Sequence, residues 1–184
     1  VTPALETPRL LLRPLTLADA EQAQALFGTW EVVRHLAAAV PWPYPADGAL
    51  THYRDVLLPA AARGEAWAWS LRLRTAPEQL VGTVTLWRRE EEHRGFWLGL
   101  PWQRQGLMTE ACEAVTAYWF DVLGFPVLRA SKASANTASR RISLRQGMRL
   151  VRTEEHDTVS GRQPAETFEI TAAEWRGRRR SPAP

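Results

Sequence analysis

Apolar and polar positions along the chain change period several times, and those changes divide it into alternating strands and helices. Arg9 to Arg13 carries the run Leu10-Leu11-Leu12, closed by Pro14, and reads as an edge-forming first strand. Ala18 to Phe27 is rich in helix formers, with Asp19 and Glu21 near its positive end, and Glu31 to Leu36 predicts a second helical piece. Pro41-Trp42-Pro43-Tyr44-Pro45 excludes regular structure, since each proline removes a donor and restricts the residue before it. Asp47 then starts a helix to about Ala62, which Gly64 terminates.

From Trp67 the period becomes two. Trp67, Trp69, Leu71 and Leu73 point one way, and Ala68, Ser70 and Arg72 the other. Leu80 to Trp87 and Arg94 to Leu100 follow as strands, joined by the polar hairpin Arg88 to His93. Gln105 to Leu123 predicts a helix with Leu107, Ala111, Val115, Tyr118 and Val122 on one stripe, closed by Gly124 before Pro126. Val127 to Ala133 is strand-like, Asn136 to Met148 a helix ended at Gly147, and Arg149 to Glu155 and Glu166 to Thr171 the last strands. The pattern describes one α/β domain over 1–175, with no internal repeat and a basic, proline-containing tail, 176–184, expected to lack fixed structure.

Composition narrows the class. The 184 residues are 45% hydrophobic and 23% charged, which fits a globular domain with a sizeable core. Without an apolar run of about 18 residues or the pattern of a signal peptide, the expectation is a cytoplasmic protein with no membrane partner. Cys112 is the lone cysteine and has no intrachain partner for a disulfide; it reads as a small core residue. The four histidines are scattered, so no metal site is expected. The net charge of +3 is carried almost wholly by arginine, Lys132 being the only lysine, and nucleic-acid contact is expected only through the basic tail.

The densest chemistry lies where a strand runs through a glycine-containing turn into a helix, from Leu98 to Ala111. A helix's first turn has N–H groups without intrahelical partners and partial positive charge, so an anion docks there, and Gly106 lets the backbone approach it closely. Asn136 is suited to cap the later helix, and Ser139, three residues on, can bond locally.

With the strand-like run Val127 to Ala133 after the Gln105 to Leu123 helix and then Asn136 to Met148, the ensemble resembles the GNAT N-acetyltransferase superfamily, and more narrowly its Rim-type branch of ribosomal-protein N-terminal acetyltransferases. The resemblance begins at Thr7-Pro8-Arg9-Leu10 and runs to Thr167–Thr171. It implies an α/β (α+β) fold: a mixed, mostly antiparallel sheet of about seven strands, splayed between the fourth and fifth and flanked by helices. It also implies acetyl-CoA as cosubstrate. On that resemblance the pyrophosphate lies on the turn of Gln103, Arg104, Gln105, Gly106, Leu107 and Met108, with Thr109 beside it; Arg104 and Met108 depart from the tightest family pattern. The pantetheine arm would pair with Phe96 to Leu100, including Gly99 and Leu100, with the Leu98 amide on the thioester carbonyl. Asn136 would contact the cofactor and Ser139 protonate the departing thiolate.

No general base announces itself. Candidates are Glu90, Glu91, Glu92 and His93 on the hairpin, with His35, His156 and Asp157, and His93 has a fitting ordinary pKa. The acceptor is expected between the Pro41–Pro45 loop, the first helices and the hairpin, with Trp42, Tyr44 and Glu91 contacting it. It would be a small amine or a peptide or protein N-terminus, and a homodimer is compatible with the chain. Two functions follow: an amine acetyltransferase, or an acyl-CoA-binding sensor or scaffold without turnover. Thiol release from acetyl-CoA discriminates them.

Overall fold

A computed structural model describes residues 1–180. The strands are β1 (Leu5–Glu6), β2 (Leu10–Pro14), β3 (Ala66–Leu73), β4 (Ala76–Trp87), β5 (Arg94–Leu98), β6 (Val127–Ala133), β7 (Arg149–Thr158) and β8 (Gly161–Thr171). The helices are α1 (Ala20–Phe27), α2 (Trp30–Val33), α3 (Gly48–His52), α4 (Leu58–Ala62), α5 (Leu107–Ala117), α6 (Thr137–Arg145) and α7 (Ala172–Arg180). A π-helical segment, Tyr53–Leu57, joins α3 to α4, so the predicted helix from Asp47 to Ala62 is one continuous run.

The strands form two antiparallel sheets, ordered β1-β2-β3-β4-β5 and β6-β8-β7, which is the predicted mostly antiparallel sheet opened between β5 and β6. The two-residue β1 takes the edge that was assigned to β2. The alternation along β3 is real, but both of its faces are covered. Trp67, Trp69 and Leu71 join the main core with α5 and β8, while Ala66 and Ala68 pack beneath α1 and the helical run from α3 to α4. Arg72, buried on the second face, pairs with buried Asp19 and donates to the carbonyls of Pro77 (3.2 Å) and Glu78 (2.9 Å). Asp19 also closes a capping box on Thr16, so this charge pair ties the start of α1 to the sheet.

Two expectations fail for local reasons. Beyond α5 the helix continues as a π-helical segment, Tyr118–Val122, with Leu123 N–H bonding the carbonyl of Tyr118 at 3.0 Å. The wider turn rotates the last residues off the 3.6-residue stripe, leaving Val122 69% exposed while Trp119 and Phe120 fill the core. The basic tail is likewise not structureless throughout. Its residues to Arg180 belong to α7, which opens with a capping exchange between Thr171 and Glu174 (2.8 Å from Thr171 N–H) and docks through buried Trp175 against Phe120. Arg178 pairs with Glu113 at 2.9 Å. The last four residues of the predicted tail lie outside the described residues.

The split between β5 and β6 is made by side chains where a backbone ladder would otherwise run. His93 N–H donates to the carbonyl of Arg129 (2.9 Å), and its Nδ1 accepts from the Arg129 N–H (2.8 Å). Its Nε2 bonds the Arg89 carbonyl (2.9 Å), and the ring stacks on Trp119. Two residues along, the Glu92 carboxylate accepts from Ser131 N–H at 3.1 Å. With β6's donors met by these side chains, the strands diverge past the hairpin.

That arrangement corrects the assignment of His93 as a base. Both nitrogens are committed, the residue is buried, and burial, with the nearby Arg129 charge, holds its pKa below the ordinary imidazole value of 6.5. Because Nδ1 must stay an acceptor, the ring's contribution to stability is present above pH 6.5 and lost as pH falls through the lowered folded value. His93→Ala should therefore cost about 2–4 kcal/mol, from a lost ring and an orphaned amide. It should also remove part of the Tm decrease expected of the parent on acidification below pH 6.5. Unchanged Tm in thermal denaturation would return His93 to the candidate bases.

Candidate active site

Where β5 and β6 part, a cleft of about 650 Å³ opens between the end of β5, the turn into α5, the start of α6 and the segment after α2. Its back wall follows from ladder alternation. Gly99 N–H bonds the Val81 carbonyl at 2.8 Å, so the neighbouring pairs Gly82/Leu98 and Val84/Phe96 are the non-bonded ones. Phe96 and Leu98 consequently aim their backbone groups away from β4 and into the gap. The Leu98 carbonyl is taken by Gln103 Nε2 at 2.8 Å.

Gly106 is the N-cap of α5 with φ +77° and ψ 4°, a left-handed conformation that glycine adopts without steric cost. The first helical bond runs from Glu110 N–H to the Gly106 carbonyl (3.1 Å), leaving the N–H groups ahead of it without intrahelical partners. Arg104 also has positive φ, 61°, so the departure from a family glycine is accommodated in the conformation that glycine would take. Arg9 holds the turn from behind, through the Gln105 carbonyl (2.8 Å) and the Glu110 carboxylate (2.7 Å).

On the facing wall Asn136 accepts from Ser139 N–H at 3.2 Å, so the capping role is real, and both residues also line the cleft. Four arginines line it as well: Arg34, Arg104, Arg141 and Arg145, against one carboxylate, Glu31. Among the described residues none of the four makes a salt bridge. Arg141 and Arg145 were not singled out from sequence, although their spacing of four on α6 puts both on one helix face.

Of the predicted cofactor contacts, Leu98, Gln103, Arg104, Gly106, Leu107, Met108, Thr109, Asn136 and Ser139 come together around the cleft. Gly99, Leu100 and Gln105 do not line it. Gly99 leaves room for the Trp102 ring, which a Cβ would approach to 2.9 Å; Leu100 is exposed outside the cleft; and Gln105 braces the turn by donating to the Pro101 carbonyl at 3.0 Å.

A second cavity, about 170 Å³, lies across β5 and shares Leu36, Phe96 and Trp97 with the cleft. Tyr44 lines it, as expected of an acceptor residue. Trp42 lines neither cavity and packs on Trp30 with ring centres 5.3 Å apart. Glu91 is also elsewhere, held by Arg129 (3.3 Å) and Arg152 (3.0 Å) over β6 and β7. His35 is the single member of the predicted base candidates that lines the cleft. Its Nδ1 is buried with no partner among the described residues, and burial, then the Arg34 charge, lowers its pKa. The segment carrying it is fixed to the β7–β8 hairpin: Val159 N–H bonds the Leu36 carbonyl (2.9 Å), Ala38 N–H the Asp157 carbonyl (3.0 Å), and Ser160 Oγ the Arg34 carbonyl.

Residues 9–149 match the family model for the acetyltransferase (GNAT) domain. The chain belongs to the GNAT acetyltransferase family. It is 30% identical over 151 residues to the uncharacterized N-acetyltransferase YoaA of Bacillus subtilis, covering 79% of this chain and 82% of that one. The ribosomal α-N-protein acetyltransferase RimL, solved with coenzyme A, superposes with a TM-score of 0.78 at 14% identity, over 94% of this chain and 99% of its own. The Microcin C7 self-immunity acetyltransferase MccE, solved with acetyl-CoA and AMP, gives 0.75 at 14% identity, over 90% and 93%. As a GNAT enzyme the protein is an acetyl-CoA-dependent acyltransferase, and its cleft fits that cosubstrate: open helix N–H groups, unpaired arginines and an outward-facing strand backbone. Among the described residues no group of three His, Cys, Asp or Glu could hold a metal, and no helix is long and apolar enough to cross a membrane.

The cleft makes two measurable demands. Gly106→Val should weaken coenzyme A binding at least about tenfold in a calorimetric titration, because a β-branched residue resists positive φ and its Cβ would come against the Arg9 guanidinium that holds the turn. Arg141→Gln with Arg145→Gln should raise Kd by about tenfold to a hundredfold and flatten its salt dependence, as expected for lost charge-assisted bonds. Full affinity in both variants would place the phosphates elsewhere.

Proposed function

We propose that the enzyme acetylates a primary amine by direct attack within a ternary complex, and that a protein or peptide N-terminal α-amine is the acceptor class. The observation that carries this reading is the meeting of two unlike cavities at Leu36, Phe96 and Trp97, one cationic and rich in amides, the other aromatic. Kinship in shape to RimL supports an α-amine and a place near the Rim-type branch.

When bound, acetyl-CoA supplies an activated acetyl thioester. The N–H groups from Gly106 to Thr109 hold its pyrophosphate, and Arg104, Arg141 and Arg145 neutralise the phosphates. The outward groups of Phe96 and Leu98 orient the pantetheine arm, and the Leu98 N–H polarises the carbonyl. His35, neutral above its lowered pKa, takes the proton released by the amine, directly or through a water, as the new C–N bond forms. The Ser139 hydroxyl gives a proton to the sulfur as the C–S bond breaks.

Release of thiol from acetyl-CoA in the presence of N-terminal peptides is the direct test, and absence of release with every amine offered would reduce the protein to a binder. Ser139→Ala should lower kcat by about 10²- to 10⁴-fold. Since Asn136 caps through the Ser139 backbone rather than its hydroxyl, Tm should hardly change. An unaltered kcat would remove Ser139 from the proton path.

A further inference from the structure

The aromatic cavity has a composition that selects among amines. Phe27, Tyr44 and Trp97 meet edge to face, with centroids 4.9 and 5.3 Å apart, and Tyr53 and Trp87 complete the walls. Among the described residues no carboxylate lines it. Its titratable groups are held neutral: burial pushes the Tyr44 hydroxyl up to about 12 and the Tyr53 hydroxyl upward, and burial with the Arg89 charge lowers His52. The nearby Asp19 carboxylate is spent on Arg72. The charge at the rim is positive, with the exposed Arg89 guanidinium lying 3.9 Å from the centre of the Trp87 ring. An acceptor with a second ammonium would meet the like charge of Arg89 beside the Trp87 ring and, among the described residues lining the cavity, no counter-charge.

Where β5 lines this cavity it carries an exposed glycine that neither backbone nor packing explains. Gly95 lies in β5, is not among the positive-φ glycines, and would place a Cβ with nothing within 4 Å. It pairs across the ladder with Thr85, so a side chain there would stand on the same face as Thr85 and project into the cavity. Glycine weakens a strand interior, and what its bareness gains here is space. The space matches one ring: the cavity is about 170 Å³, and an apolar cavity of ~150 Å³ accepts benzene.

Building on the acetyltransferase reading, we propose that this cavity receives the uncharged apolar body of the acceptor, one aromatic ring or a branched aliphatic chain of similar bulk, and that Gly95 sets the size admitted. The same chemistry is offered by a free arylalkylamine and by the first side chain of a peptide, and matched acceptors separate the two sources.

Thiol release is measured with phenethylamine, 1,4-diaminobutane and two pentapeptides that differ only in a first residue of Phe or Lys. The aromatic member of at least one pair should exceed its cationic counterpart in kcat/KM by at least about tenfold, within the range that apolar pockets achieve. The pair showing it identifies the source. Gly95→Leu should collapse that ratio towards one with unchanged acetyl-CoA affinity, and Gly95→Ala, the milder change, should fall between. Preference for the cationic members, an aromatic preference that survives Gly95→Leu, or, if that variant does not fold, a preference undiminished in Gly95→Ala, overturns the proposal and leaves the acetyltransferase reading standing. If acetyl-CoA binds but no acceptor turns over, that reading fails instead, and the cavity is then tested by tryptophan fluorescence on the coenzyme A-loaded protein. Quenching by phenethylamine that is lost in Gly95→Leu supports the pocket; no quenching overturns it.

Discussion

A strand that stops pairing must dispose of its free backbone groups, and here the disposal is done by two side chains. The imidazole of His93 and the carboxylate of Glu92 meet the N–H groups of Arg129 and Ser131, so β6 is satisfied where it leaves β5. The cleft lies in the opening this creates. The outward groups of Phe96 and Leu98, the N-terminus of α5 and the capped start of α6 face one another because the sheet is prised apart at the hairpin rather than continued.

The same wedge explains why a family-wide reaction needs few reactive side chains from this chain. Its contributions to the cofactor cleft are mostly amides and arginines, groups whose value depends on being aimed and unpaired rather than on titration. The aromatic cavity lies on the other side of β5. There the wall is built from rings and neutral hydroxyls, and the exposed Arg89 guanidinium lies over the Trp87 ring.

Much of this was legible in the chain. Periodicity located β6 to the residue and gave the helix from Asp47 to Ala62, because local pattern dictates both. The turn through Gly106 was readable because strand, glycine and helix are contiguous. The role of His93 was not, since polarity in a hairpin does not reveal that a strand 36 residues on will claim the ring. Trp42 and Tyr44 sit two apart in the same proline loop, yet one rests on Trp30 and the other lines the cavity; only tertiary packing separates them. Val122 was misplaced because a single π turn offsets all that follows it. The start of α7 carried a signal that was not read, Thr171 and Glu174 at capping-box spacing.

The fastening of the segment after α2 to the β7–β8 hairpin joins positions 126 residues apart, Arg34 and Ser160. Contacts of such separation close late in folding, after the local helices and hairpins have formed. During synthesis the first five strands and α5 can therefore collapse while the wall bearing His35 still has no support, and that wall becomes fixed only when the C-terminal hairpin emerges. A chain shortened before β7 would lose both the hairpin that fastens the His35 segment and the Phe168, Ile170 and Trp175 side chains that share the core with α5.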